Sequence, residues 1–286
     1  MDTDETAAEP RRPVAVPDDP AAEDPRPGPV DAAPAAPCGP RPAGRADAIQ
    51  WVRSLLFNVQ MYVAMALMGA WWAPQAMLRR ERAWDAVRAY CRYVRWSASW
   101  MVGLKTEVRG PVPVDEVLIG AKHQSFLDII MIVSAVPKPK FVMKDELRRA
   151  PILGWFALRI GCVPVRRGRR AEAMKRMVAE VRANAALAGQ LIIYPQGTRV
   201  APGARRPYKV GTYVLYAETG QPCIPAACNV GLFWPRRGVM RRPGRAVVEF
   251  GTRIEPGLPQ AEFMARLERD VEQASDRLMA EAGWSP

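Results

Sequence analysis

The sequence predicts an α/β protein built on a mainly parallel mixed sheet flanked by helices, with membrane-binding helices in front of it. Three observations carry this prediction. From about residue 106 onward, short apolar runs rich in β-branched residues alternate with longer helical patterns, which is the signature of strands connected by helices. Ahead of them, 25 residues between Arg53 and Arg79 carry no charge at all. Before those, residues 1–47 hold eleven prolines and almost no large apolar side chain. The 286 residues therefore divide into a tail (1–47), an anchoring helical segment (48–105) and an α/β domain (106–286).

The tail cannot bury enough surface to offset its conformational entropy and reads as disordered. It lacks the positive start and apolar core of a secretory signal. Its ten acids against five arginines sum to −5, which leaves +17 on the rest of a chain whose total is +12. A body so basic attracts anionic partners such as a membrane surface, a phosphorylated substrate or nucleic acid. Aromatic stacking platforms and recognised nucleic-acid-binding motifs are missing, so nucleic acid is not an expected partner.

The uncharged stretch that follows includes Leu55, Leu56, Phe57, Val59, Met61, Tyr62, Val63 and Leu67, and is just long enough to span a bilayer core. Its length suits a single crossing or a re-entrant hairpin equally. Pro74 is expected to end or kink the helix near Trp72, and Trp71 and Trp72 suit a membrane–water interface. Over residues 79–105, arginines 79, 80, 82, 88, 92 and 95 alternate with Trp84, Val87, Tyr90, Val94, Trp100 and Leu104 at spacings of three and four. This is a basic, Trp-rich amphipathic helix of the kind that lies in a lipid interface. The dense positive charge keeps that side cytoplasmic, at the inner membrane if the cell is bacterial.

Within the α/β domain, strands are expected at 117–121, 140–143, 162–165, 190–194, 223–230 and 246–250, and helices at 125–136, 145–160, 170–188, 208–219 and 260–282. The five cysteines are scattered without a CxxC, and His123 is the only histidine. A zinc site needs about four closely spaced N/S ligands, so no metal is expected. The odd cysteine count in a long chain argues for a reducing compartment.

Three polar clusters sit at predicted strand ends, which is where open α/β sheets bind ligands. In Lys122-His123-Gln124-Ser125-Phe126-Leu127-Asp128, the imidazole belongs to a class that titrates near 6.5 and can accept a proton at neutral pH. Asp128, in the first turns of the next helix, is placed to fold back and orient it, which is the logic of a catalytic triad without a protein nucleophile. The run Gly161-Cys162-Val163-Pro164-Val165-Arg166-Arg167-Gly168-Arg169-Arg170 ends a strand in four arginines, whose planar forks suit phosphate. The segment Tyr194-Pro195-Gln196-Gly197-Thr198-Arg199 follows an apolar strand. There a glycine lets backbone N–H groups approach an anion or a developing oxyanion, and Thr198 and Arg199 add donors. A further basic and aromatic loop, from Phe233 and Trp234 through Arg236 and Arg237 to Arg245, reads either as a headgroup contact or as a plain connection between strands.

Taken in order and at this spacing, these clusters resemble those of the glycerolipid acyltransferase family, which includes 1-acylglycerol-3-phosphate acyltransferases. That family carries an HxxxxD motif, a strand ending in Arg, a PEGTR motif and a later strand bearing a proline, here Cys223-Ile224-Pro225-Ala226. The resemblance covers roughly residues 100–255. It implies the glycerolipid acyltransferase fold and a His123–Asp128 dyad, in which His123 deprotonates an acceptor hydroxyl that attacks an acyl thioester directly. It implies that Arg167 and the Gly197-Thr198-Arg199 turn, with Gln196 in the family's glutamate position and Lys122 as an addition, bind the acceptor. The expected partners are a lysophospholipid acceptor, acyl-CoA or acyl-carrier protein as cosubstrate, and membrane lipids. No bound cofactor is implied, and oligomeric state is not indicated.

Two departures stand out: Gln196 replaces the usual Glu, and Arg166 stands where an acid often precedes the motif arginine. An amide keeps an acceptor, gains a donor and loses a charge, so the departures bear on acceptor choice and leave the dyad intact. Lysophosphatidate is the first expectation. Another lyso-lipid, such as a lyso-aminolipid, is the second, and a non-catalytic basic membrane-surface binder is the third.

Overall fold

The computed structural model describes residues 45–165, 178–179 and 189–285. Residues 1–44 and most of the predicted 170–188 helix lie outside the described residues. Helix α1 (Arg45–Leu78) begins inside the stretch read as tail and runs through Pro74 to Leu78, past the expected stop near Trp72. Helix α2 (Arg82–Met101) follows after a short turn.

The segment predicted as anchor to residue 105 ends sooner. Gly103 adopts φ +70°, which favours glycine, and the chain enters strand β1 (Leu104–Arg109). This strand was missed because it is an edge strand of mixed polarity. Strands β2 (Leu118–Ala121), β3 (Pro139–Lys144), β4 (Val163–Val165), β5 (Gln190–Ile193), β6 (Cys223–Cys228) and β7 (Gly244–Phe250) complete the sheet among the described residues. Helices α3 (Leu127–Ala135), α4 (Leu153–Arg159), α5 (Gly211–Thr219) and α6 (Gln260–Glu281) flank it. The predicted 145–160 helix is broken at Pro151–Ile152 into a 3₁₀ turn over Asp145–Arg149 and the short α4.

The strand order is β1-β7-β6-β2-β5-β3-β4. All neighbouring pairs are parallel except β6 with β7. β2, β5 and β6 lie inside the sheet and are buried along their whole length, as expected of parallel strands covered on both faces. Their side chains divide by alternation. Ile119, Ile192 and Ile224 pack with Leu127, Ile130 and Met131 of α3, Val94 and Ala98 of α2, and Phe57 and Met61 of α1. Leu118, Leu191 and Ile193 pack on the other face against Leu215 of α5 and Phe263, Leu267 and Val271 of α6.

α1 is long and apolar enough to cross a membrane, yet its inner face is fastened to the domain. Gln50 Nε2 donates to the carbonyls of Val102 and Arg241, Asn58 Nδ2 donates to Val239 O, and the Arg241 amide donates to Ser54 Oγ. These three polar side chains recur every fourth residue and form one stripe. The opposite stripe, with Val52, Leu55, Leu56, Val59, Tyr62 and Val63, is exposed. Trp71, Trp96 and Trp100 are also largely exposed.

Candidate active site

The carboxyl ends of β5, β2 and β6 lie side by side, and the chain leaves β2 there through a loop held at every residue. The Lys122 amide donates to Ala226 O (2.8 Å), and the Val200 amide donates to His123 O (2.8 Å). The Gly231 amide donates to Gln124 Oε1 (2.9 Å), and Ser125 Oγ accepts the Leu127 amide (2.9 Å). The loop is thereby bound to three other segments before α3 begins.

Asp128, fully buried in the first turn of α3, completes this fixation. Its Oδ2 accepts the amides of Gln124 and Ser125, each at 2.8 Å, and its Oδ1 lies 2.9 Å from His123 Nδ1. A carboxylate can only accept, so the proton on that bond belongs to Nδ1, and the lone pair of the neutral ring is on Nε2. The ring is 14% exposed. Its face stacks on Tyr194, with centroids 4.0 Å apart and planes 24° from parallel. The Tyr194 hydroxyl is buried against the Asp128 carboxylate. Burial first, and then the charge of Asp128, push its pKa well above the ordinary phenol value, so it stays neutral.

The turn after β5 carries positive charge to this edge. The Gly197 amide donates to Tyr194 O (2.8 Å), so it is used inside its own turn, contrary to the expected role toward an anion. Gly197 has φ +67°, and a Cβ there would come within 3.1–3.3 Å of the Lys209 side chain, which places that cation over the turn. Arg199 Nη1 donates to Arg236 O (3.3 Å) and Arg236 Nη1 donates to Arg199 O (3.4 Å). Burial and then Arg236 lower the Arg199 pKa, Asp128 acts in the opposite sense, and Arg237 adds to the lowering. Guanidiniums crowded in this way, within the field of a buried aspartate, form an edge that an anion would relieve.

The other predicted site residues divide. Thr198 is partly exposed in the turn. Lys122 is not an accessible phosphate ligand. It is buried, with Nζ 2.7 and 2.6 Å from the carboxylate oxygens of Glu272 on α6. Gln196 is buried beside it, donating Nε2 to Glu272 Oε1 at 3.3 Å. Arg167 lies outside the described residues. Sequence reasoning missed the stacking of Tyr194, the nearness of Lys209 and the whole of Glu272. Tyr194 had one signal, an aromatic residue directly at a strand exit. Glu272 had only its place beside the inward stripe of Leu267, Val271, Ser275 and Leu278.

Residues 105–229 match the family model described as Acyltransferase. The chain is 25% identical to a 1-acyl-sn-glycerol-3-phosphate acyltransferase of Pseudomonas aeruginosa, over 82% of this chain and 92% of that one. It is 30% identical to a chloroplastic 1-acyl-sn-glycerol-3-phosphate acyltransferase, BAT2, of Brassica napus, over 42% of this chain and 36% of that one. The crystal structure of the 1-acyl-sn-glycerophosphate acyltransferase PlsC from Thermotoga maritima superposes with a TM-score of 0.66 at 18% identity, covering 81% of this chain and 99% of that one, a likeness of fold.

Proposed function

We propose, from the match of residues 105–229 to the Acyltransferase family model, that the enzyme moves a fatty acyl group from an acyl thioester to the free sn-2 hydroxyl of lysophosphatidate, giving phosphatidate. The observation that carries this reading is the His123 Nδ1–Asp128 contact at 2.9 Å, at the mouth of β2 beside a cluster of arginines. Nε2 takes the hydroxyl proton as the oxygen attacks the thioester carbonyl, and Asp128 stabilises the imidazolium that forms. Collapse of the tetrahedral intermediate breaks the C–S bond, and the imidazolium returns the proton to the leaving thiolate. The donor is acyl-CoA or acyl-carrier protein.

Arg199 and Arg236, with Arg167 as a further candidate, hold the acceptor phosphate. Arg199→Ala is expected to raise the acceptor KM by about tenfold or more, the value of one charge-assisted hydrogen bond, with little change in donor KM. Steady-state kinetics with each substrate varied in turn check this, and equal effects on both would count against it.

A second reading, acylation of another lyso-lipid, has one observation in its favour: the residue in the family's glutamate position is an amide whose donor is committed to Glu272. The deciding experiment offers the purified enzyme a panel of lyso-lipids with acyl-CoA and acyl-carrier protein donors and identifies products by mass. Acylation of lysophosphatidate above all other acceptors supports the first reading. Release of free fatty acid alone would sink both.

We further propose that α1 and α2 lie in the cytoplasmic leaflet without crossing it, because α1 is tied to the domain by Gln50, Ser54 and Asn58 while its apolar stripe faces outward. Burying a leucine-sized side chain contributes about 1.5–3 kcal/mol. Replacing Leu55 and Val59 together by aspartate should therefore lower vesicle binding at least tenfold, while high salt alone should not release the wild type. Vesicle flotation checks both.

A further inference from the structure

We propose that Glu272 is a positioning residue for the reaction: its buried carboxylate locks the loop that carries His123 to the turn that carries Arg199. The inference rests on the acyl-transfer reading given above and adds to it a residue outside the matched domain, from the C-terminal helix α6.

The carboxylate has four side-chain partners from three segments. Lys122 Nζ approaches both oxygens at 2.7 and 2.6 Å. Gln196 Nε2 donates to Oε1 at 3.3 Å, Tyr208 donates its hydroxyl to Oε1 at 2.9 Å, and Arg205 Nη1 donates to Oε2. Lys122 is the residue before His123, and Gln196 is the residue before Gly197, so one carboxylate ties together the backbones on which the base and the anion-binding turn are built. Glu272 is itself only 6% exposed, and a buried charge persists only when it is paired in this way.

The geometry also fixes the sense of the Gln196 amide. Its NH₂ group faces the carboxylate, because the opposite rotation would set two acceptors against each other. Its Oε1 is then left buried without a hydrogen-bond partner among the described residues. A glutamate at position 196 would set a second carboxylate against Glu272 Oε1 and divide Lys122 and Arg205 between two anions, which displaces the present pairing. Glu272 and Gln196 are thus complementary, one charged and one neutral.

The complementarity gives a swap test. Gln196→Glu and Glu272→Gln alone are each expected to lower kcat by about 10- to 10²-fold, the cost of sub-ångström to ångström displacement in a reacting constellation. The double variant Gln196→Glu/Glu272→Gln, which keeps the cluster's charge, is expected to return to within about threefold of wild type, as coupled neighbours do. A residue that only packed would show no such reciprocity.

Because His123 is the only histidine, its ring gives a single set of NMR signals, which should shift in both single variants and return in the double. That readout does not depend on turnover. If the wild type acylates no lyso-lipid, the acyl-transfer reading falls and the ring signal still decides the positioning. If Glu272→Gln does not fold, the comparison of Gln196→Glu with the double variant still decides. Single variants as active as wild type with an unmoved ring signal, or a double variant unfolded or no better than Gln196→Glu, would overturn the proposal.

Discussion

His123→Ala should lower the rate of acyl transfer by about 10²- to 10⁴-fold, the range contributed by a positioned general base. The chain contains one imidazole, so no second histidine can take over the proton. The loop that carries His123 is fastened through its backbone and through Asp128, Ser125 and Gln124, none of which is changed, so the fold should survive. What is lost besides the base is the stacking on Tyr194, worth about 0.5–1.5 kcal/mol, and the Nδ1–H hydrogen bond to Asp128 Oδ1. Initial rates measured by product mass, alongside thermal unfolding and vesicle flotation, separate chemistry from folding. Ordinary turnover by a folded, membrane-bound variant would refute the mechanism.

Asp128→Asn should cost as much by a different route, about 10⁴-fold in kcat when an orienting carboxylate becomes an amide and forces the wrong tautomer. Oδ2 accepts two backbone amides, so the carbonyl of an asparagine must stay on that side, and its NH₂ group then faces His123 Nδ1. A donor there makes Nδ1 the acceptor and moves the ring proton to Nε2, the atom that must receive the proton from the hydroxyl. The alternative rotation sets the NH₂ group against two backbone donors and would cost about 1–3 kcal/mol of stability for the unmet groups. Nitrogen-15 ring shifts of the sole histidine distinguish the tautomers directly. An Nδ1–H signal in a folded variant that turns over slowly would show that tautomer control is not the cause.

Much of the candidate site was legible because the residues proposed to do the chemistry lie close together in the chain. His123 and Asp128 are five residues apart across a strand end and a helix start, so local geometry alone brings them within reach. The buried strands were equally plain, since β2, β5 and β6 are covered on both faces and read as apolar runs. β1 was not, because only Leu104 in it is buried, the rest being exposed or half-buried at the sheet edge, and it pairs with β7, which lies far along the chain. Pro74 misled for a related reason: packing against α2 and the domain holds α1 together beyond the residue that would end an isolated helix.

The alternation of strands and helices, the His123–Asp128 pair, the basic character of the body and the long apolar stretch could all be read from the chain alone. All of these depend on residue type and near spacing. What Lys122 and Gln196 do depends on packing between distant segments. A lysine and a glutamine beside the catalytic motifs suggest ligands, yet both turn inward to Glu272 on a helix some 75 to 150 residues away. The same is true of α1, which the domain binds along its polar stripe, leaving its apolar stripe exposed. The physical reason is that a buried charge or amide takes the partner that space offers it, and which partner is within three ångströms is settled by how helices pack on a sheet, not by position along the chain.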